Sequence, residues 1–173
     1  MNYFILERDQ RLGAIEGILS CSASLKQGYE SASQEEQVEI SGEGVREYGC
    51  LLEHPVPLVS NELCEIFKKQ YAGLQTKQVR IMDTVLRQIL NYHLIQMPQI
   101  NVEAQLRTPE LESSKIAYGF IVPYGEVKEQ AFFELNNVRK KMMVVNLTLA
   151  EHVLREGIYG VAVRRITIQE RDS

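Results

Sequence analysis

The sequence predicts an α+β protein built on a mixed, largely antiparallel sheet. Three observations carry this: apolar segments of strand length, two capped amphipathic helices, and alternating residues after each helix. The chain has 173 residues, of which 45% are hydrophobic and 24% charged, values that support one globular domain over residues 1–173. The net charge of −4 offers no basic field for nucleic acid or an anionic membrane. Apolar runs such as Met142 to Val145 fall far short of the ~20 residues of a spanning helix. The start, Met1 to Arg8, lacks the basic region of a signal peptide, and Cys21, Cys50 and Cys64 form no CxxC pair. A cytoplasmic protein with reduced thiols is the expectation.

Tyr3 to Glu7 reads as a first strand, ending at the turn-prone Arg8-Asp9-Gln10. Residues 22–49 are rich in Ser, Gln, Glu and Gly, which predicts a polar, mobile loop with at most a short strand at Gln37 to Ile40. A unit then occurs twice. Val56-Pro57-Leu58-Val59 is followed by Ser60, and Met142-Met143-Val144-Val145 by Asn146. Each of these polar residues has a Leu three positions on (Leu63, Leu149) and a Glu five positions on (Glu65, Glu151). Ser and Asn accept hydrogen bonds from orphan N–H groups of a first helical turn, worth ~1 kcal/mol against Ala. Leu63, Ile66, Phe67 and Leu74 form one helix face; Leu149, Ala150, Val153 and Leu154 form the other. Gly73 and Gly157 are placed to end these helices. Strands follow at Val79 to Ile81 and Val161 to Ile166, so the unit is strand–capped helix–strand.

Between the copies, Asp83 to Met97 fits either a helix or paired strands around Arg87-Gln88, and the alternation of Tyr92 to Met97 favours strands. Leu106 to Ser114 reads as loop and short helix, and Tyr118 to Tyr124 and Phe132 to Leu135 as strands.

Little in the chain points to catalysis or metal binding. There is no G-x-S-x-G, HExxH, dinucleotide fingerprint or P-loop. Gly42-Glu43-Gly44 lacks a third glycine, and Cys64 sits on an amphipathic helix as a small hydrophobe. Glu110 with Glu112 reads as solvated surface. No cofactor or metal is expected. From Glu30 to His54 the local charge is −6, leaving the remainder near +2. This is either a solvated loop or an acidic docking surface that steers a basic partner, with Tyr29, Glu35, Glu36, Glu39, Glu43, Glu47 and Tyr48 as contact residues. The basic groups Arg139 to Lys141 and Arg164-Arg165 read as solvated strand ends.

The strand–cap–helix unit, above all Met142 to Glu151 followed by Gly157 and Gly160-Val161, resembles the immunity family numbered eleven of bacterial polymorphic-toxin systems. The opening strand Asn2 to Leu6, the capped Pro57-Leu58-Val59-Ser60, the strand Tyr92 to Met97 and the strand Phe132 to Leu135 extend the likeness in order along most of the chain. The Asn146 cap and the polar stretch after Cys21 depart from it. The resemblance implies a non-enzymatic protein that binds and neutralises a cognate toxin by stoichiometric contact. Two rivals stand beside it: an enzyme with a site around His54 and Cys50, and an assembly protein that forms a homo-oligomer through a sheet edge.

Overall fold

The computed structural model describes residues 2–106, 118–123 and 125–171. In chain order the strands are β1 (Tyr3–Arg8), β2 (Ile18–Cys21), β3 (Glu35–Ser41), β4 (Leu51–Leu52), β5 (Leu58–Ser60), β6 (Thr76–Asp83), β7 (Gln88–Ile95), β8 (Gln99–Asn101), β9 (Ala104–Gln105), β10 (Tyr118–Pro123), β11 (Phe132–Asn136), β12 (Met142–Asn146) and β13 (Val161–Arg171). The α-helices are α1 (Ala23–Gln27), α2 (Asn61–Gln70) and α3 (Leu147–Glu156). The α+β class holds, with strands predominating. Where one sheet was expected there are two, one in each of two compact units.

One unit comprises Arg8–Gln96 with Ile158–Val161. Its sheet runs β2-β3-β6-β7-β5-β4, and only β3 and β6 are parallel. Alternation fixes the faces. Val38 and Ile40 of β3, Val79 and Ile81 of β6, and Tyr92 and Leu94 of β7 pack with Leu25, Leu52, Val56 and Leu58 in a core. The Asp83–Met97 ambiguity resolves as strands. β6 and β7 form a hairpin with Asp83 opposite Gln88, and Arg87 takes a left-handed φ of 51° in the turn. Residues 22–49, expected as a polar loop with a short strand at Gln37 to Ile40, contain α1 and the longer strand β3 around that segment. That strand pairs on both sides, because the polar residues that suggested a loop occupy its outward positions.

The other unit comprises Met1–Glu7, Met97–Gly157 and Ala162–Ser173, with strand order β8-β11-β12-β1-β13-β10-β9. Its core gathers Tyr3, Ile5, Phe120, Val122, Phe133, Leu135, Val144 and Ile166. Tyr3 packs edge-on against Phe133 at 5.3 Å, and its buried hydroxyl donates to the Val127 carbonyl at 2.6 Å. On the same sheet Lys141 pairs with the buried Glu134 at 3.2 Å, and Arg164 pairs with Glu7. Lys141 and Arg164, read as solvated strand ends, thus keep partial exposure and each has a carboxylate partner.

Both helices begin where the sequence placed them. Ser60 Oγ accepts from Leu63 N–H at 3.3 Å, and Asn146 Oδ1 from Leu149 N–H at 3.0 Å. Gly157 closes α3 in the left-handed region. Gly73 does not close α2, which ends at an extended Tyr71, so Leu74 lies beyond the helix rather than on its apolar face. The helix expected within Leu106 to Ser114, the pair Glu110 and Glu112, and Tyr124 lie outside the described residues, Leu106 excepted.

Candidate functional site

The seven residues expected to contact a partner divide into two groups. Glu36 is buried. Its carboxylate accepts hydrogen bonds from Ser22 Oγ at 2.8 Å, Ser24 Oγ at 3.1 Å and Ser33 N–H at 2.8 Å, tying the start of α1 to β3. Burial alone would raise its pKa, but these donors outweigh it and hold the group below the usual carboxylate value. Tyr29 and Tyr48, expected as exposed aromatics, are half-buried against the core. Lys77 Nζ lies 4.4 Å from the centre of the Tyr29 ring and donates to the Tyr29 and Ala32 carbonyls at 2.6 Å. Tyr48 donates to Asp83 Oδ2 at 2.7 Å. These three residues build the unit, and Glu35, Glu39, Glu43 and Glu47 remain exposed.

Arg46, the one cation of the acidic stretch, is the organising side chain. Its Nη1 meets Asp83 Oδ1 at 3.2 Å, with the two side chains 1% and 0% exposed. Nε donates to the Glu16 carbonyl at 2.7 Å, and Nη2 to the carbonyls of Ser41, at 2.9 Å, and of Gly42. Gly17 makes room for it: with φ at +120°, a Cβ there would strike the guanidinium. Asp83 also accepts from Val85 and Leu86 N–H at 3.0 and 2.9 Å. Burial works to raise its pKa, and the donors from Leu86, Tyr48 and Val85, with the Arg46 charge, hold it below the ordinary value.

This staple gathers exposed apolar side chains at one end of the sheet. Val85 and Leu86 follow Asp83, Val45 precedes Arg46, and the Ile18 side chain lies against Gly42. The register places Ile89 opposite Met82 and Met82 opposite Glu39. Ile18, Val45 and Ile89 are 69%, 76% and 62% exposed, and Val85 and Leu86 about half. Glu39 and Glu43 stand beside them, and Arg80 lies one pair further along, opposite Gln37 and Asn91. An apolar cluster with a charged border is the composition of a protein-binding surface. Sequence reasoning missed it because an isolated Ile or Val between polar residues reads the same whether it turns inward or outward.

The same unit holds a cleft of about 350 Å³. Its floor is Ile15, Leu19, Val38, Ile40, Leu52 and Ile81, and its polar wall includes Arg8, Asp9, Glu16, Glu53 and His54. Arg8 Nε donates to the Gly13 carbonyl at 3.0 Å and Nη2 to the Glu47 carbonyl, while Nη1 is buried without a hydrogen-bond partner. The convergence that an enzyme around His54 and Cys50 needs is not formed. His54 lines the cleft, whereas Cys50 is buried away from it, with its Sγ 3.3 Å from Glu62 Oε2 and its pKa raised, chiefly by burial. Cys64 is fully buried on α2. Among the described residues no three His, Cys, Asp or Glu side chains are grouped to hold a metal ion, and no helix is long and apolar enough to cross a membrane. No protein-family model matches the chain, and a search of characterised proteins finds no match.

Proposed function

We propose that the protein is an immunity-type inhibitor that neutralises a cognate bacterial toxin by direct 1:1 contact in the cytoplasm. The observation that carries this reading is the surface around Arg46 and Asp83. Ile18, Val45, Val85, Leu86 and Ile89 expose their side chains there beside Glu39 and Glu43. An inhibitor needs a few apolar anchors that are desolvated on binding and a charged border that orients the approach. The acidic border suits a toxin with a basic surface. The family resemblance of the capped-helix segments supports the same role.

The test is to sequence the adjacent reading frames and co-express the chain with a toxin domain encoded there; the absence of any such domain counts against the reading. Growth should be rescued, and the two chains should elute together at 1:1. Rescue without a complex, or a complex without rescue, refutes stoichiometric inhibition. The second reading, self-assembly, draws on the same exposed apolar cluster. A stable oligomer of the chain alone by size exclusion with light scattering, lost in Ile89→Glu, would favour it.

A further inference from the structure

We propose that the open face of the Arg8–Gln96 sheet receives an amphipathic helix of the protein partner, its apolar side on Ile18, Met82 and Ile89 and a lysine or arginine flank toward Glu35 and Glu39. This rests on the reading of the chain as a protein-binding inhibitor and names the element of the partner that it holds.

The face is set by register. Ser20, Glu39, Met82 and Ile89 lie side by side on β2, β3, β6 and β7, and Gln37, Arg80 and Asn91 form the next row. Met82 is half-buried and the other six are exposed, whereas their inward neighbours Val38, Ile40, Val79 and Ile81 belong to the core. At the far end of β7 the same face is covered. There α2 packs against β5 and β7, Asn61 at its start is hydrogen-bonded to His93, and Ile95 is buried. The sheet thus already carries one helix on this face, and the strands beside it are open.

The spacing of the apolar side chains excludes an added strand. Ile89 lies three strand spacings from β2, ~14 Å. A strand paired to the edge of β2 would leave it uncovered, and β2 offers only Ile18–Cys21 for pairing. A helix of about 10–12 Å diameter laid across the face reaches all three apolar side chains within about ten residues at its rise of ~1.5 Å.

Charge selects the flank. Among the described residues the carboxylates of Glu35 and Glu39 make no hydrogen bond or ion pair, and Arg80 is the one lysine or arginine on this face. Glu43 adds a further exposed carboxylate at its border. The excess of negative charge favours a basic flank and disfavours a second copy of this chain, which would bring the same carboxylates together.

The experiment is amide chemical-shift mapping of the full chain with an end-blocked amphipathic peptide of about 18 residues, leucines along one face and lysines on the flanks. One control replaces its lysines by glutamates, and another places a proline at its centre to break the helix. The lysine helix should shift Ile18, Glu39, Met82 and Ile89, bind at least about tenfold more tightly than either control, and weaken with salt. Glu35→Lys with Glu39→Lys, both at exposed positions, should leave the rest of the spectrum intact and turn the preference toward the glutamate helix. No shift of these residues by the lysine helix at ~1 mM overturns the proposal, as does equal binding of either control. Shifts confined to β2 would mean an added strand, and a dimer of the chain alone, lost in Ile89→Glu, a second copy; each overturns it. So does a Glu35→Lys, Glu39→Lys chain that still neutralises the toxin at wild-type potency, and that result leaves the inhibitor reading intact. A wild-type chain that neutralises nothing refutes the inhibitor reading, while the peptide map still decides the docking face.

Discussion

Replacing Arg46 by Met tests the account of how the exposed cluster is held. The side chain is 1% exposed and joins Asp83 at 3.2 Å, with Nε and Nη2 on the carbonyls of Glu16, Ser41 and Gly42. Breaking a buried ion pair from one side costs ~3–5 kcal/mol, because the remaining charge loses its partner. Here Asp83 keeps Val85 N–H, Leu86 N–H and the Tyr48 hydroxyl, so its charge stays partly compensated. The lower end, about 3 kcal/mol, is the expectation, a large part of the ~5–15 kcal/mol that holds a typical domain. Urea unfolding followed by tyrosine fluorescence reads it. With a slope of ~1–3 kcal/mol/M, the midpoint of this unit should fall by about 1 M or more. Asp83→Asn should cost a comparable amount, and the double variant no more than the worse single, since each removes what the other would leave unpaired. A surface bridge would behave otherwise: a loss under ~1 kcal/mol, additive in the double and erased by salt, which would refute the reasoning.

Further outcomes follow from the same structure. Ser60→Ala and Asn146→Ala should each cost ~1 kcal/mol, read as a lower midpoint for the unit carrying that cap. The pKa values of Glu36 and Asp83 are held below their ordinary 4.5 and 3.8, so the stability they add is full above those values and drains as pH falls through the lower folded ones. An acid titration by circular dichroism should show this loss, flattened in Glu36→Gln. Gly160→Ala should destabilise strongly, because φ is +75° and a Cβ would sit 2.7 Å from both Gly49 Cα and Leu12 Cδ1; an unchanged melting temperature would contradict this. Ile89→Glu should leave stability within about 0.5 kcal/mol and weaken toxin binding at least about tenfold by calorimetry, whereas Glu→Gln at 35, 39, 43 and 47 together should slow association and reduce its salt dependence.

The helices were legible because a cap is a local event. Ser60 and Asn146 need only the N–H three residues on, and the sequence displays both partners. The hairpin of β6 and β7 was half legible: alternation marks Tyr92 to Met97, while Val85 and Leu86, which suggested a helix, are held in the turn by the Asp83 carboxylate. β3 was read as a short strand at Gln37 to Ile40 within a loop because Glu35, Gln37 and Glu39 face outward, and only pairing with β2 and β6 reveals them as the open side of a sheet. Three of the seven candidate contact residues, Tyr29, Glu36 and Tyr48, turn inward for a related reason. Composition marked an acidic stretch correctly, but charge counts do not distinguish the buried Glu36, held by three donors, from Glu39, three residues on and on the opposite face. Arg46, the residue that matters most there, appeared only as a subtraction from that count.

The two units share an order of connections that bears on assembly. In one, β4-β5 pair antiparallel, α2 leads from β5 to β6, β7 lies between β5 and β6, and β6 pairs parallel with β3. In the other, β11-β12 pair antiparallel, α3 leads from β12 to β13, β1 lies between them, and β13 pairs parallel with β10. β1 thus takes the place that β7 holds, although it comes first along the chain rather than last. The consequence is asymmetric. The Arg8–Gln96 unit finds all six of its strands within one continuous stretch. The other cannot close its sheet until β13 meets β1, across some 160 residues, a separation that makes loop closure costly and slow. The exposed cluster and the cleft both belong to the unit whose sheet closes locally, where Arg46 and Asp83 fix it with a bond spanning 37 residues. An exposed apolar surface built on the more local sheet does not have to wait for the long-range one.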